Sequence, residues 1–327
     1  MEKGSLRISR IGCEAEIPLF KVSPISREDE ACRPSEKSVF ILAGQHGWEY
    51  TGILTAFELV RKLGNQEIRD EIAILPVSNP AATVSATRTN PVDGENLNAA
   101  YDSFPDPDTN DPASPSGILR RTIWQTALGY SRVVDLHSAG QARYLSHAIV
   151  VRESDVEEAR LFGLPFVIRR SRGREGSGST LTAAVYASGR RAFALELGAG
   201  CVVRRDDVNA GVRAVMRFLM SIGTIAGFEE HGSLTPMDQV FLHDVRTIVK
   251  ARCRGIVWHR KALGEEVVEG EIISEVLSVQ SWEPISIKSP VAGRIIYQRD
   301  HGLVAEGDTI AMLIPLSSAD RQLKGRR

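Results

Sequence analysis

The chain has 327 residues, 43% hydrophobic and 25% charged, which supports a folded core and excludes a disordered or low-complexity protein. Its 40 Lys and Arg against 41 Asp and Glu give a net charge of -1, without the basic excess of a nucleic-acid or anionic-membrane binder. Residues 1–17 carry charges throughout, no run approaches the ~18 apolar residues of a membrane span, and Cys13, Cys32, Cys201 and Cys253 form no C-x-x-C pair, so a cytoplasmic protein with free thiols is expected.

Residues 1–38 read as one or two short strands and a polar loop over 26–37. The apolar run Val39-Phe40-Ile41-Leu42-Ala43 has strand length and stops at Gly44, and 53–63 has helical spacing. Gly44-Gln45-His46-Gly47-Trp48-Glu49-Tyr50-Thr51-Gly52 therefore lies at a strand-to-helix turn. His46 and Glu49, three residues apart, can aim an imidazole nitrogen and a carboxylate oxygen at one point, as a zinc ion requires. Alone, His-x-x-Glu fits a solvated surface turn better.

A strand over 71–78 follows and ends at Asn79-Pro80, and the strand, helix, strand order implies parallel pairing. The stretch 79–117 carries six prolines and is too long for an ordinary connection, so it reads as a functional loop. Ser116 caps a helix over 117–128, and the next strand, from Arg132, ends in Asp135-Leu136-His137-Ser138. A histidine there is open to two readings, a satisfied core residue or a ligand carried into the crevice.

Strand 147–151, helix 154–162 and strand 166–168 come next, then a basic glycine-rich segment, 169–180. It matches neither G-x-G-x-x-G nor a Gly-Lys-Ser/Thr loop and reads as a substrate loop. After a helix over 181–187, strand 191–197 ends in Glu196-Leu197-Gly198; a carboxylate in an apolar strand is costly unless paired or functional. An amphipathic helix over 206–227 closes a first domain, 1–230.

From 231 to 327 the pattern changes to short strands and repeats itself. Gly255-Ile256-Val257-Trp258 with Val267-Val268-Glu269-Gly270-Glu271 echoes Gly293-Arg294-Ile295-Ile296-Tyr297 with Val304-Ala305-Glu306-Gly307-Asp308, which predicts a pseudo-symmetric β domain. Ser289-Pro290-Val291-Ala292-Gly293 resembles the biotinyl/lipoyl-type barrel-sandwich fold, but the turn region 275–281 holds no carrier lysine. A structural or substrate-gating appendage without a carried cofactor is expected.

His46, Glu49, His137 and Glu196 all fall at strand ends or the turns after them, and two His with one Glu make the three-ligand set of a catalytic zinc. The ordered set Gly44 to Glu49, Asn79-Pro80, Arg88, Asp93, Asn96-Leu97-Asn98, Asp135 to Ser138 and Glu196-Leu197-Gly198 resembles the succinylglutamate desuccinylase/aspartoacylase family of zinc carboxypeptidase-like hydrolases. The resemblance implies a zinc carboxypeptidase-like mixed α/β sheet flanked by helices, followed by a small all-β domain. It implies one Zn2+ per chain on His46, Glu49 and His137, Glu196 as general base and acid, and Arg88 on the developing oxyanion. Asn98 matches a substrate-binding position.

One departure stands out. Where the family reads Asp-Leu-Asn-Arg, this chain reads Asn96-Leu97-Asn98-Ala99, so the arginine that clamps a substrate carboxylate is missing. Arg174, in the glycine-rich loop, or Arg143, soon after His137, is the expected replacement. The reading is a deacylase of an N-acyl amino acid or related small amide, with no nucleic-acid or membrane partner; homo-oligomerisation is left open. A carboxypeptidase-like peptidase or esterase using the same site, and a metal- or small-molecule-binding protein without catalysis, stand as alternatives.

Overall fold

The computed structural model describes residues 2–10, 13–24, 35–101, 114–170, 180–227, 239–242 and 245–316. The chain opens with a hairpin, β1 (Glu2–Arg10) and β2 (Cys13–Val22). It continues through β3 (Val39–Ala43), α1 (Tyr50–Leu63), β4 (Glu67–Ile68), β5 (Ile72–Leu75), α2 (Pro80–Val84), α3 (Pro115–Ala127), β6 (Arg132–His137), β7 (Ala142–Tyr144) and β8 (His147–Val150). Then come α4 (Val156–Arg160), β9 (Phe166–Arg169), α5 (Leu181–Ala187), β10 (Arg191–Glu196), α6 (Arg205–Ser221), β11 (Ile225–Ala226) and β12 (Gln239–Leu242).

Nine of these strands make one sheet in the order β1-β2-β5-β3-β6-β10-β8-β9-β12. Its centre, β5-β3-β6-β10, is parallel, as the strand, helix, strand order implies. β2 and β8 run against their neighbours β5 and β10, so the sheet is mixed. The reversal at β8 has a simple cause: the connection from β6 contains no helix, and a parallel return needs a crossover of a dozen or more residues.

Alternation along the central strands divides the core into two layers. Val39, Ile41 and Ala43 face a layer shared with Leu59 of α1 and with Val215 and Phe218 of α6. Phe40 and Leu42 face the opposite layer, with Leu119 and Ile123 of α3 and Leu181 of α5. A Cβ on Gly52 would lie 2.8 Å from the Leu136 carbonyl oxygen, so α1 rests directly on the end of β6. That contact sets the N-terminus of α1, and Glu49 with it, beside His137.

Sequence patterning misses α2 and β7. α2 is only five residues, started by Pro80 and capped by Asn79 Oδ1, which accepts from Ala82 N at 3.2 Å. β7 is three residues and gains its pairing from the far end of the chain, where it lies antiparallel to Tyr297–Arg299.

The C-terminal region contains β13 (Thr247–Lys250), β14 (Gly255–His259), β15 (Glu266–Val267), β16 (Ile272–Ser278), β17 (Pro284–Lys288), β18 (Gly293–Arg299), β19 (Leu303–Val304) and β20 (Thr309–Pro315). They form two sheets, β13-β20-β18-β15 with β7 added on β18, and β17-β16-β14-β19. The sequence repeat is visible here. β14 pairs with β16 as β18 pairs with β20, and each repeat lends its short strand to the other: β15 to β18, β19 to β14. Ile273, Val276, Ile295, Ile310 and Leu313 fill the core between them. The two parts of the chain also exchange strands, since β12 extends the large sheet at β9 while β7 extends the small one.

Candidate metal and catalytic site

The segment 44–49 leaves β3 through Gly44 in a left-handed conformation (φ +70°), which a glycine adopts without penalty. Gly47 donates its N–H to Thr87 O at 2.9 Å, and a Cβ there would fall 2.0 Å from the Ala82 carbonyl. The ligand turn is thus pressed onto the loop after α2, the loop that carries Arg88. Ala86 in that loop is held at φ 52°, a costly conformation for a residue with a Cβ.

His46, Glu49 and His137 come together as a buried group whose ligand atoms all lie within 4.8 Å of one another. His46 Nδ1 is 2.8 Å from Glu49 Oε1 and His137 Nδ1 is 2.9 Å from Glu49 Oε2. The outer nitrogens are occupied by protein: His46 Nε2 lies 3.0 Å from Asn96 Oδ1, and His137 Nε2 lies 2.9 Å from Asp135 Oδ2. Outward Nε2 protons leave both Nδ1 lone pairs aimed inward at the carboxylate. Two imidazole nitrogens and one carboxylate oxygen, converging and desolvated, are the donor set that zinc takes in hydrolytic sites.

The electrostatics give the same answer. Burial opposes the charged form of Glu49, yet His46 and His137 hold its carboxyl far below the usual carboxylate range. Burial likewise opposes His137⁺, but Asp135 and Glu49 raise that imidazole well above its ordinary value. Positive charge is what this group requires, and a divalent cation supplies it without protonating a ligand.

Behind the ligands runs a buried relay. Tyr101 Oη donates to Gln45 Oε1 at 3.0 Å, Gln45 Nε2 donates to Asp135 Oδ2 at 2.7 Å, and Asp135 faces His137. Asp135→Asn keeps the shape but not the charge that orients the His137 proton; it is expected to weaken zinc binding by about 10–100-fold. Competition with a chelator of known affinity measures this, and an unchanged affinity would remove Asp135 from the site. From sequence alone Asp135, two residues before His137, is a candidate to orient a ligand, whereas Gln45 and Asn96 carry no local mark of such a role. Tyr101 has no sequence signal; its left-handed neighbour Ala100 (φ 58°) is the structural one.

Glu196, at the end of β10, pairs in register with His137. Its Oε2 has no hydrogen-bond partner among the described residues. Burial pushes its carboxyl up to about 8, with His137, Arg88 and Arg170 pulling the other way. Arg88 stands at the mouth, half exposed, with Nη1 3.7 Å from Glu49 Oε1. Asn98 lines the cavity, and its Oδ1 accepts from Leu181 N at 3.0 Å; its Nδ2 lies 3.1 Å from His137 Nε2, a contact that is not a hydrogen bond while that nitrogen carries the proton given to Asp135.

The cavity has a volume of about 600 Å³ and runs from the ligands past Glu196 over Ala194 and Ile149 to Arg170 and Thr180. Tyr144 of β7 and Tyr297 of β18 meet edge to face over it, and Thr309 and Met312 complete the wall from the C-terminal sheets. Of the two arginines expected to replace the missing clamp, Arg174 lies outside the described residues. Arg143 is not in the cavity; its guanidinium is paired with Asp207 at 2.8 and 3.2 Å. The reason is local: Asp207 also accepts from Ala199 N, and it fixes the turn after Glu196.

A model of the succinylglutamate desuccinylase/aspartoacylase catalytic domain matches residues 35–222. The chain belongs to the succinylglutamate desuccinylase/aspartoacylase family. Among curated relatives, the N-alpha-acetyl-L-2,4-diaminobutyric acid deacetylase of Halomonas elongata is 27% identical over 287 residues, covering 84% of this chain and 81% of its own. Among solved structures, the family member from Rhodobacter sphaeroides superposes with a TM-score of 0.77 at 24% identity, covering 97% and 95% of the two chains. The ectoine utilization protein EutE (DoeB) of Ruegeria pomeroyi gives 0.73 at 20% identity, covering 93% and 90%. These structures share the fold of this family member, C-terminal sheets included. Among the described residues no helix is long and apolar enough to cross a membrane.

Proposed function

We propose that the protein is a zinc-dependent amidohydrolase that removes the acyl group from an N-acyl amino acid. The buried His46, Glu49 and His137 group carries this reading, beside Glu196, whose Oε2 has no hydrogen-bond partner among the described residues. Bound there, zinc acts as a Lewis acid and lowers the pKa of water from 15.7 to about 7.

The remaining steps belong to the chain's own residues. Glu196 takes the proton of the attacking water, holds it, and delivers it to the leaving nitrogen. Arg88 swings from the mouth to donate to the oxyanion that develops on the carbonyl. Asp135 and Asn96 keep the two histidines in one orientation throughout. Tyr144, Tyr297 and Met312 narrow the entrance, which favours a small acylated amine over a long peptide.

The C-terminal sheets, read as a barrel-sandwich fold, form the wall of the site and carry no prosthetic group; residues 279–283, between β16 and β17, contain no lysine. A cytoplasmic location, expected from the charged N-terminus and scattered cysteines, is part of the same proposal.

The test is amine release from a panel of N-acetyl and N-succinyl amino acids, including Nα-acetyl-L-2,4-diaminobutyrate, alongside dipeptides and esters. Zinc-loaded protein should liberate amine from the N-acyl amino acids faster than from dipeptides. Hydrolysis confined to dipeptides would favour the peptidase instead.

A further inference from the structure

Asp207 lies in the first turn of α6, where an acid ordinarily caps the N–H groups of its own helix or offsets their positive charge. Here the carboxylate is directed elsewhere. Among the described residues the N-cap of α6, Arg204, makes no side-chain cap, and Asp207 reaches back to the turn that follows Glu196. Its Oδ2 accepts from Ala199 N at 3.0 Å and from Arg143 Nε at 3.2 Å, and its Oδ1 accepts from Arg143 Nη2 at 2.8 Å. Asp207 is 7% exposed, so these charged hydrogen bonds are made largely out of water, where they are strong. Gly198 is the residue that admits the carboxylate. It is held at φ +51°, and a Cβ there would fall 2.2 Å from the Asp207 carboxyl carbon.

The turn gripped in this way joins the two halves of the site. Residues 197–201 are laced to the loop that leaves His137: Leu197 N donates to His137 O at 2.9 Å, Tyr144 N to Gly198 O at 3.0 Å, and Cys201 N to Gly140 O at 2.7 Å. A Cβ on Gly200 would lie 2.2 Å from Gly140 N, so the two segments touch backbone to backbone. Thr51, in the first turn of α1, donates its hydroxyl to Ala199 O. Three residues beyond Glu196, Ala199 is therefore held at its N–H by α6 and at its C=O by α1. Arg143 carries the same grip outward. It lies in β7 opposite Gln298 of β18, next to the Tyr144 that pairs with Tyr297. One carboxylate thus ties the exit of β10 to the strand that brings the C-terminal wall over the cavity.

We propose that Asp207 is a positioning residue. Without touching substrate, it sets the aim of the Glu196 carboxylate through Gly198 and Ala199, and the placement of Tyr144 through Arg143. This rests on the role given to Glu196 in the deacylase reading above. A displacement of about 1 Å at a reacting group costs on the order of 10²-fold in rate, whereas the metal ligands keep their own contacts.

The test compares zinc-loaded wild type, Asp207→Asn, Arg143→Met and the double variant, with Asp206→Asn as control, on the N-acyl amino acid of the panel above that wild type hydrolyses fastest. Asp207→Asn should lower kcat by about 10- to 100-fold, with KM within about threefold of wild type and zinc affinity unchanged. Arg143→Met keeps the bond to Ala199 and should lose less, and the double variant should be no slower than Asp207→Asn, as for residues that act as one unit. Asp206→Asn removes a neighbouring acid from the same helical turn and should keep the wild-type kcat. Equal losses in Asp206→Asn and Asp207→Asn would reduce Asp207 to a helix-end charge and overturn the assignment, as would a wild-type kcat in Asp207→Asn. Should Asp207→Asn fail to fold, a wild-type kcat in Arg143→Met overturns it instead. Hydrogen exchange at the Ala199 amide, followed by NMR, reads the grip without turnover: it should quicken by about tenfold or more in Asp207→Asn and stay unchanged in Asp206→Asn. Unchanged exchange in Asp207→Asn would overturn the proposal. Faster exchange there, in a protein whose wild type hydrolyses no N-acyl compound, would sustain Asp207's hold on the turn and sink the deacylase reading.

Discussion

Glu196→Gln should lower the rate of amide hydrolysis by about 10²–10⁴-fold while leaving zinc content unchanged. The amide keeps the volume of the carboxylate at the end of β10, and the metal ligands come from other strands, so only the proposed proton carrier is lost. Wild-type turnover in this variant would show that another group does the work. The same substitution has a second readout in metal-free protein. Folding raises the Glu196 carboxyl from 4.5 to about 8. A carboxyl raised on folding is stabilising below its unfolded value, and that contribution is lost as pH climbs through the folded one, at about 1.4 kcal/mol per pH unit. Metal-free Glu196→Gln should therefore melt with metal-free wild type near pH 4 and above it near pH 8. Parallel melting curves across that window would show that Glu196 is not desolvated in the fold.

His137→Ala should abolish zinc binding and turnover together, and it should also be the most damaging single change to the metal-free fold. His137 contacts both Glu49 and Asp135, so its removal leaves two buried carboxylates short of a partner; breaking such a buried pair costs about 3–5 kcal/mol. His46→Ala is the control. It removes a ligand but keeps Glu49, His137 and Asp135 in contact, so metal is lost with a smaller drop in melting temperature. Equal thermal losses in the two variants would contradict the charge chain drawn through His137.

Much of this site was legible because its residues fall where chain geometry changes. His46, Glu49, His137 and Glu196 each stand where an apolar run stops, and the structure brings the first three into one buried group with Glu196 alongside. Local periodicity also located the central strands and the repeat at 255–308. It could not show that each half of that repeat gives a strand to the other, because pairing between distant segments leaves no local mark. The same holds for β7 and for Tyr297, which reaches the cavity only through the β7–β18 pairing. Arg143 was expected in the cavity from its position after His137; position did not reveal Asp207, which captures its guanidinium.

The most direct measurement is the zinc content of protein purified without chelator, read by mass spectrometry and followed by amine release before and after metal removal. The structure predicts about one zinc per chain, loss of turnover on chelation, and recovery when zinc is returned. No bound metal, and none taken up on adding zinc, would contradict the assignment of His46, Glu49 and His137 as ligands.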